Sequence, residues 1–380
     1  MLVFSQRVAL AVRSVKAFLN LEAGVVLGSV HGSGSGTQEA PGEGAGPRPA
    51  GAGQDQRIEQ LRRELREKNK ENAGLRSRLV AGSYDLPGGG VKPENMIWMF
   101  GSGRTGSSWL STMMGDLEDH ARWNEPYVGE LFGSAYYIRA GDRMRGRKDY
   151  ALADDYREVW IHSIRNFVLE GANARFSGLG ENGYLAIKEP NGSIGAVLLG
   201  EAFPESRMIL LVRDPRDVVS SAMAAQRKGS WGEGWRANGG GDSLADTDPD
   251  EFARQWANMY TVSLGNARKA YEAHKGSKAV VRYEDLRADT LKTMRRLYST
   301  LDIPVGEQEL ARTVERHAWE NVPENKKGPD KPHRKATPGG WKEDLTPEQA
   351  RIVEELTVRI LDEFYPEWSS FHGKVTNLER

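Results

Sequence analysis

The chain has 380 residues, with 52 Lys plus Arg against 53 Asp plus Glu and a formal net charge of -1. A balance so close to zero gives no electrostatic case for nucleic acid as a partner. It contains no cysteine, which excludes disulfides, thiolate metal sites and cysteine nucleophiles and suits a reducing, cytoplasmic compartment.

Residues 1–30 carry Arg7, Arg13 and Lys16 among apolar side chains, with no acid before Glu22. No apolar run reaches the ~20 residues that a bilayer span needs. Two readings fit: an interfacial amphipathic helix with peripheral membrane contact, and an ordinary partly buried or unstructured N-terminus. Residues 31–53, rich in Gly, Ala, Pro and Ser, read as a flexible linker. Residues 54–80 read as a charged helix. With Ile58 at heptad position a, Leu61, Leu65, Leu75 and Leu79 fall on the a/d seam, Lys68 on a d and Asn72 on an a. A short coiled coil forming a homodimer and a solvated single helix both fit this pattern, and Gly74 weakens it. A breaker-rich joint follows, and the catalytic domain is placed at 91–373.

That domain opens on an apolar run, Ile97 to Phe100, followed by Gly101-Ser102-Gly103-Arg104-Thr105-Gly106-Ser107-Ser108-Trp109. The pattern predicts a strand, a phosphate-cradling loop and a helix start, whose backbone N–H groups and N-terminal end favour an anion. The Gly101-x4-Gly106 spacing is that of a Walker A loop, but Ser107 stands where its lysine belongs. Arg104 supplies the cation instead, in a planar fork suited to phosphate or sulfate.

Further along, helices are expected at 108–117, 151–170, 196–203, 218–226, 251–273, 290–301 and 347–364. Strands are expected at 184–188, 208–212 and 279–283, with a strand or turn ending at Trp123–Pro126. Strands alternating with helices predict a P-loop-like three-layer α/β/α domain around a parallel sheet, plus the N-terminal helical extension. Ligands on such sheets sit at the carboxyl ends of the strands. The run Met208–Val212 delivers Arg213-Asp214-Pro215-Arg216-Asp217 to that edge, and Ser221 follows on the next helix, expected about one turn in. A charged fork and a hydroxyl at a helix start make a second phosphate site. The alternative is a Walker B strand with Asp214 on magnesium, which calls for the missing lysine. A third stretch, Arg334-Lys335-Ala336-Thr337-Pro338-Gly339-Gly340-Trp341-Lys342, combines adjacent cations, small residues and an aromatic.

Together these three stretches resemble the sulfotransferases that use 3′-phosphoadenosine 5′-phosphosulfate (PAPS), over roughly residues 96–368. The resemblance implies PAPS as co-substrate, adenosine 3′,5′-bisphosphate (PAP) as product, and no metal. Arg104, Thr105, Gly106, Ser107, Ser108 and Trp109 fall on the family's 5′-phosphosulfate loop. Arg213 and Ser221 match the pair for the 3′-phosphate. Arg334, Lys335 and Ala336 match the C-terminal 3′-phosphate loop, where the family normally has Gly in place of Ala336. Tyr283-Glu284-Asp285-Leu286 matches a structural landmark.

The histidine of the cytosolic enzymes has no counterpart near Lys188, which instead resembles the Lys-Asp-Pro lysine of protein-tyrosine and some carbohydrate sulfotransferases. Those enzymes place a glutamate base where Glu125 falls. Glu125 is therefore the first choice as base, Glu189 the second and His120 the third, with Lys188 and Arg104 stabilising the transferred group. Trp231 and Trp235 read either as a mobile lid or as an ordinary surface loop. The acceptor reads as a hydroxyl of a carbohydrate, a glycolipid or a small alcohol or phenol. Two rivals stand beside this reading: a P-loop nucleotide kinase or NTPase, and a non-catalytic coiled-coil scaffold.

Overall fold

A computed structural model describes residues 59–64, 66–67, 90–180, 182–227, 229–232, 248–328, 330–331 and 334–368. The segments expected at 1–30 and 31–53, most of 54–80, and Trp235 lie outside them. Residues 59–64 and 66–67 are helical and exposed, with Leu61 half exposed.

Five strands form one parallel sheet in the order β2-β3-β1-β4-β5. They are β1 (Met96–Phe100), β2 (His120–Asn124), β3 (Tyr184–Lys188), β4 (Arg207–Val212) and β5 (Lys278–Arg282). β1 and β4 read as continuous apolar runs because both of their faces are covered. Met96, Trp98 and Phe100 enter one core with Leu210 and Val212, while Ile97 and Met99 enter the other with Ile209 and Leu211.

Ten helices matter to the site and its support. They are α1 (Ser107–Gly115), α2 (Val128–Gly133), α3 (Arg157–Arg175), α4 (Ala196–Ala202), α5 (Pro215–Ala225), α6 (Pro249–Ala273), α7 (Tyr283–Ala288), α8 (Thr290–Thr300), α9 (Glu307–Arg316) and α10 (Pro347–Phe364). α3, α4, α6 and α10 cover the first face of the sheet, and α1, α7, α8 and α9 the second. This is the expected α/β/α domain.

The strand order places the site. After β1 the chain leaves toward β2, and after β4 it leaves toward β5, so the crevice between their carboxyl ends is the topological switch point. The loops after β1 and β4 carry Arg104 and Arg213.

Three local readings are corrected. α5 begins at Pro215 rather than Val218, because Asp214 caps it by accepting from Arg216 N–H and Pro215 takes its first position. Ser221 is consequently the seventh residue of α5, nearly two turns in, and its hydroxyl is not a helix-start donor. α3 starts later than expected, after a 3-10 turn at Asp154–Tyr156, and continues past Gly171 to Arg175. α2, α7 and α9 had not been anticipated: α2 and α7 are six residues each, α2 with two glycines inside it, and α9 is mostly polar.

Candidate active site

The loop after β1 curls because Arg104 and Gly106 both hold left-handed φ angles, 69° and 84°. Such a loop is the backbone form of an anion-binding nest. Gly106 has a second reason to be glycine: a Cβ there would lie 2.5 Å from Cδ2 of Tyr283. Thr105 is buried and its hydroxyl donates to Ser102 O at 2.7 Å, so it holds the loop together. Ser193 pins the loop's hinge, accepting from Gly101 N–H at 3.2 Å.

Three arginines converge on this loop. Arg104 donates to Ser221 Oγ from Nε at 3.1 Å and from Nη2 at 2.9 Å, and its guanidinium lies 4.9 Å from the centre of the Trp231 ring. Arg213 donates from Nη1 to Arg104 O at 2.9 Å and lies 4.3 Å from the centre of the Tyr283 ring. Its Nε is buried with no hydrogen-bond partner among the described residues. Tyr260 brackets the Arg213 backbone, donating to its O at 2.6 Å and accepting from its N–H at 3.3 Å. Burial, then the charges of Arg213 and Arg334, bring Arg104 down to about 10. A cluster that lowers Arg104 and leaves a buried guanidinium N–H unpaired suits an anion.

Arg334 joins the cluster through Ser220 Oγ at 3.0 Å and Asp344 at 2.7 Å. Its loop is held down by Asp217, which accepts from Gly339 N–H at 2.7 Å and Trp341 N–H at 2.9 Å. Asp217 and Asp344 were missed in the sequence, although Asp217 stands inside Arg-Asp-Pro-Arg-Asp. Lys335 turns instead to Glu343 and Asp344, at 2.9 Å each. Ala336 has a φ of 51°, and its carbonyl accepts from Arg287 Nε at 2.9 Å. The left-handed φ is the physical reason a glycine suits that position.

Asp214 pairs with Arg216 at 2.7 Å and caps α5. Glu284 takes the Asp214 N–H at 2.9 Å and the Tyr365 hydroxyl at 3.0 Å, a structural role. Trp109 donates from Nε1 to His317 O and packs edge-on to Tyr283, so it braces the wall of the site rather than joining the arginines.

A second group lies at the ends of β2 and β3. Lys188, buried, donates to Ser108 Oγ at 3.0 Å and pairs with Glu125 at 2.7 Å. Glu125 has a φ of 48° and a quarter-exposed side chain, and its N–H donates to Lys188 O at 2.8 Å. The Tyr127 hydroxyl donates to its other carboxylate oxygen at 3.3 Å. A carboxylate open to solvent is thus tied through Lys188 to the start of α1.

Glu189 is 1% exposed and its carboxylate accepts from the N–H groups of Tyr127 (3.0 Å) and Gly129 (3.3 Å). Burial pushes it up to about 8. His120 sits at the first residue of β2, the sheet edge opposite Glu125, stacked on Tyr184. It is too far from the loop to serve as base.

With this geometry in view, comparison with known proteins is decisive at one level. The sulfotransferase family model matches residues 97–307. The chain belongs to the sulfotransferase family. The match takes in the loop after β1, Lys188, Arg213 and Ser221, and stops short of the Arg334 loop. No curated protein matches the sequence significantly. Among solved structures, this sulfotransferase is similar to the mouse sulfotransferase SULT7A1 complexed with PAP, at 16% identity over 76% of this chain and 91% of that one, with a TM-score of 0.46. It is similar to sulfotransferase STF9 from Mycobacterium avium at 16% identity, 74% and 78% coverage and a TM-score of 0.45. A retinol dehydratase complexed with retinol and PAP follows at 14% identity, 72% and 82% coverage and a TM-score of 0.41. No helix among the described residues is long and apolar enough to cross a membrane.

Proposed function

We propose that this sulfotransferase moves the sulfuryl group of PAPS to a hydroxyl of an acceptor, with Glu125 as general base. The observation that carries the reading is the hydrogen-bonded run Ser108–Lys188–Glu125, which begins at the phosphate loop and ends at a solvent-accessible carboxylate. Arg104, Arg213, Arg334, Ser221 and the loop backbone would hold the phosphates of the nucleotide, and the buried, unpaired Arg213 Nε supports that fit.

The acceptor oxygen forms a bond to sulfur as the bond from sulfur to the leaving phosphate oxygen breaks, and that oxygen keeps the electron pair. The hydroxyl proton passes to Glu125. Lys188 and the Ser108 hydroxyl would stabilise the charge that develops on the sulfuryl and leaving oxygens. Fixed donors of this kind in a partly dry site contribute on the order of 10²–10³ in rate each. Carbohydrates, glycolipids and small alcohols or phenols remain the acceptor classes in view.

The test is Glu125→Gln. Turnover is expected to fall at least a hundredfold while PAP still raises the melting temperature as it does in the parent protein. Near-normal turnover with intact PAP binding would remove Glu125 from the mechanism. A melting shift with ATP and magnesium but none with PAP would favour the nucleotide-kinase reading.

A further inference from the structure

We propose that Glu189 is a positioning residue: its buried carboxylate clamps the backbone of Tyr127 and Gly129 and so fixes where Glu125 points. The inference rests on the reading of Glu125 as base.

The corner Glu125-Pro126-Tyr127 is unusual. Glu125 and Tyr127 both hold left-handed φ angles, 48° and 59°, and neither is glycine. Side chains disfavour that conformation, and it persists only where the surroundings over-determine it. Two consecutive residues of β3 and its end supply the restraint. From Lys188, the backbone O accepts from Glu125 N–H at 2.8 Å and Nζ pairs with the Glu125 carboxylate at 2.7 Å. From Glu189, one carboxylate oxygen accepts from Tyr127 N–H at 3.0 Å and the other from Gly129 N–H at 3.3 Å. Successive residues at a strand end point to opposite sides, so Lys188 grips the side chain of Glu125 from one side while Glu189 grips the following backbone from the other.

The clamp is close-fitting. A Cβ on Gly192 would lie 2.1 Å from Glu189 Oε1, and one on Gly129 would lie 2.2 Å from Gly192 O. The carboxylate therefore cannot swing away on that side. Among the described residues no cation is a hydrogen-bond or ion-pair partner of Glu189, and burial disfavours its charge. A buried carboxyl group held only by backbone N–H groups costs stability when charged, and its use here is geometric. Glutamine in its place keeps the volume, but its N–H₂, unlike either oxygen of a carboxyl group in either protonation state, cannot accept from the second N–H, which breaks one arm of the clamp.

The experiment has two readouts. The first is amide hydrogen exchange in Glu189→Gln: the amides of Tyr127 and Gly129 are expected to exchange at least tenfold faster, with those of β1 unchanged. The second is a double-mutant cycle, read as PAP released from PAPS with p-nitrophenol and with water as probe acceptors. Glu189→Gln alone is expected to lower turnover about tenfold or more without changing PAP affinity, and to add nothing in the Glu125→Gln background. Unchanged exchange, or a loss of turnover that persists in full without Glu125, overturns the proposal. Near-normal turnover of Glu125→Gln alone overturns the base assignment instead, and the exchange result then stands as a purely structural finding. Should Glu189→Gln fail to fold, Glu189→Asp, which keeps the charge and shortens the reach, is put through the same two measurements with the same criteria.

Discussion

Arg104 and Ser221 are joined directly, Nε and Nη2 of the one reaching Oγ of the other at 3.1 and 2.9 Å across 117 residues of chain. Sequence patterns assign the two to opposite ends of a nucleotide, Arg104 to the sulfuryl end and Ser221 to the 3′-phosphate. In the structure they are one cluster, which Arg213 and Arg334 complete. Either the pair opens when the nucleotide enters, or one cluster serves both phosphates. The first case predicts that Ser221→Ala costs less PAP affinity than Arg213→Ala.

Arg213→Ala should be the most damaging change to nucleotide binding. A hydrogen bond to a charged group contributes ~1.5–3 kcal/mol, or roughly 10- to 150-fold in affinity. PAP at about a hundred times its dissociation constant should stabilise the parent protein by ~2.7 kcal/mol. Thermal unfolding at that PAP concentration is expected to show a shift of several degrees in the parent, cut in the variant to about half for a roughly tenfold loss of affinity and to almost nothing for a roughly 150-fold loss.

Asp217→Ala tests the anchor of the C-terminal loop. It leaves the N–H groups of Gly339 and Trp341 without their acceptor. Denaturant unfolding should register a loss of about 1–3 kcal/mol. PAP affinity, read by calorimetry, should fall as well, because Arg334 rides on the same loop.

Ala336→Gly should stabilise the protein. A left-handed alanine costs roughly 1–2 kcal/mol, offset in part by the greater freedom glycine has when unfolded, ~0.5–1 kcal/mol. A net gain of up to about 1.5 kcal/mol by denaturant unfolding is the expected outcome. A loss would mean that the methyl group is packed well enough to outweigh the strain.

Stability should depend on pH through Glu189. Burial raises its carboxyl from 4.5 to about 8, with Glu125 and Glu130 adding to the shift. The folded state then binds more protons than the unfolded one between those values. Its contribution is fully present below 4.5 and is lost as pH rises through about 8. The slope is at most about 1.4 kcal/mol per pH unit. Glu189→Gln should flatten the difference, so the gap between parent and variant measured at pH 5 narrows, or reverses, at pH 8.

Much of the sheet is local in origin. Continuous apolar runs at Ile97–Phe100 and Met208–Val212 marked central parallel strands because both faces of such a strand are buried, a local property of composition. The glycines and arginine after the first run marked an anion loop, since few other residues let a backbone turn that tightly. Arg213 was expected at the ligand edge from its place after the Met208–Val212 run, whereas Lys188 and Glu125 were singled out only by resemblance to a family pattern. What only the tertiary structure decided are the relations between distant segments. Ser221 pairs with Arg104 because α5 starts at its Pro215 and carries the hydroxyl nearly two turns along. Asp217 serves a loop more than a hundred residues away, while Lys335 shares Asp344 with Arg334. Glu189 and Lys188, neighbours in sequence, divide into a buried clamp and an ion pair because a strand sends successive side chains to opposite sides and only the fold decides what each side meets.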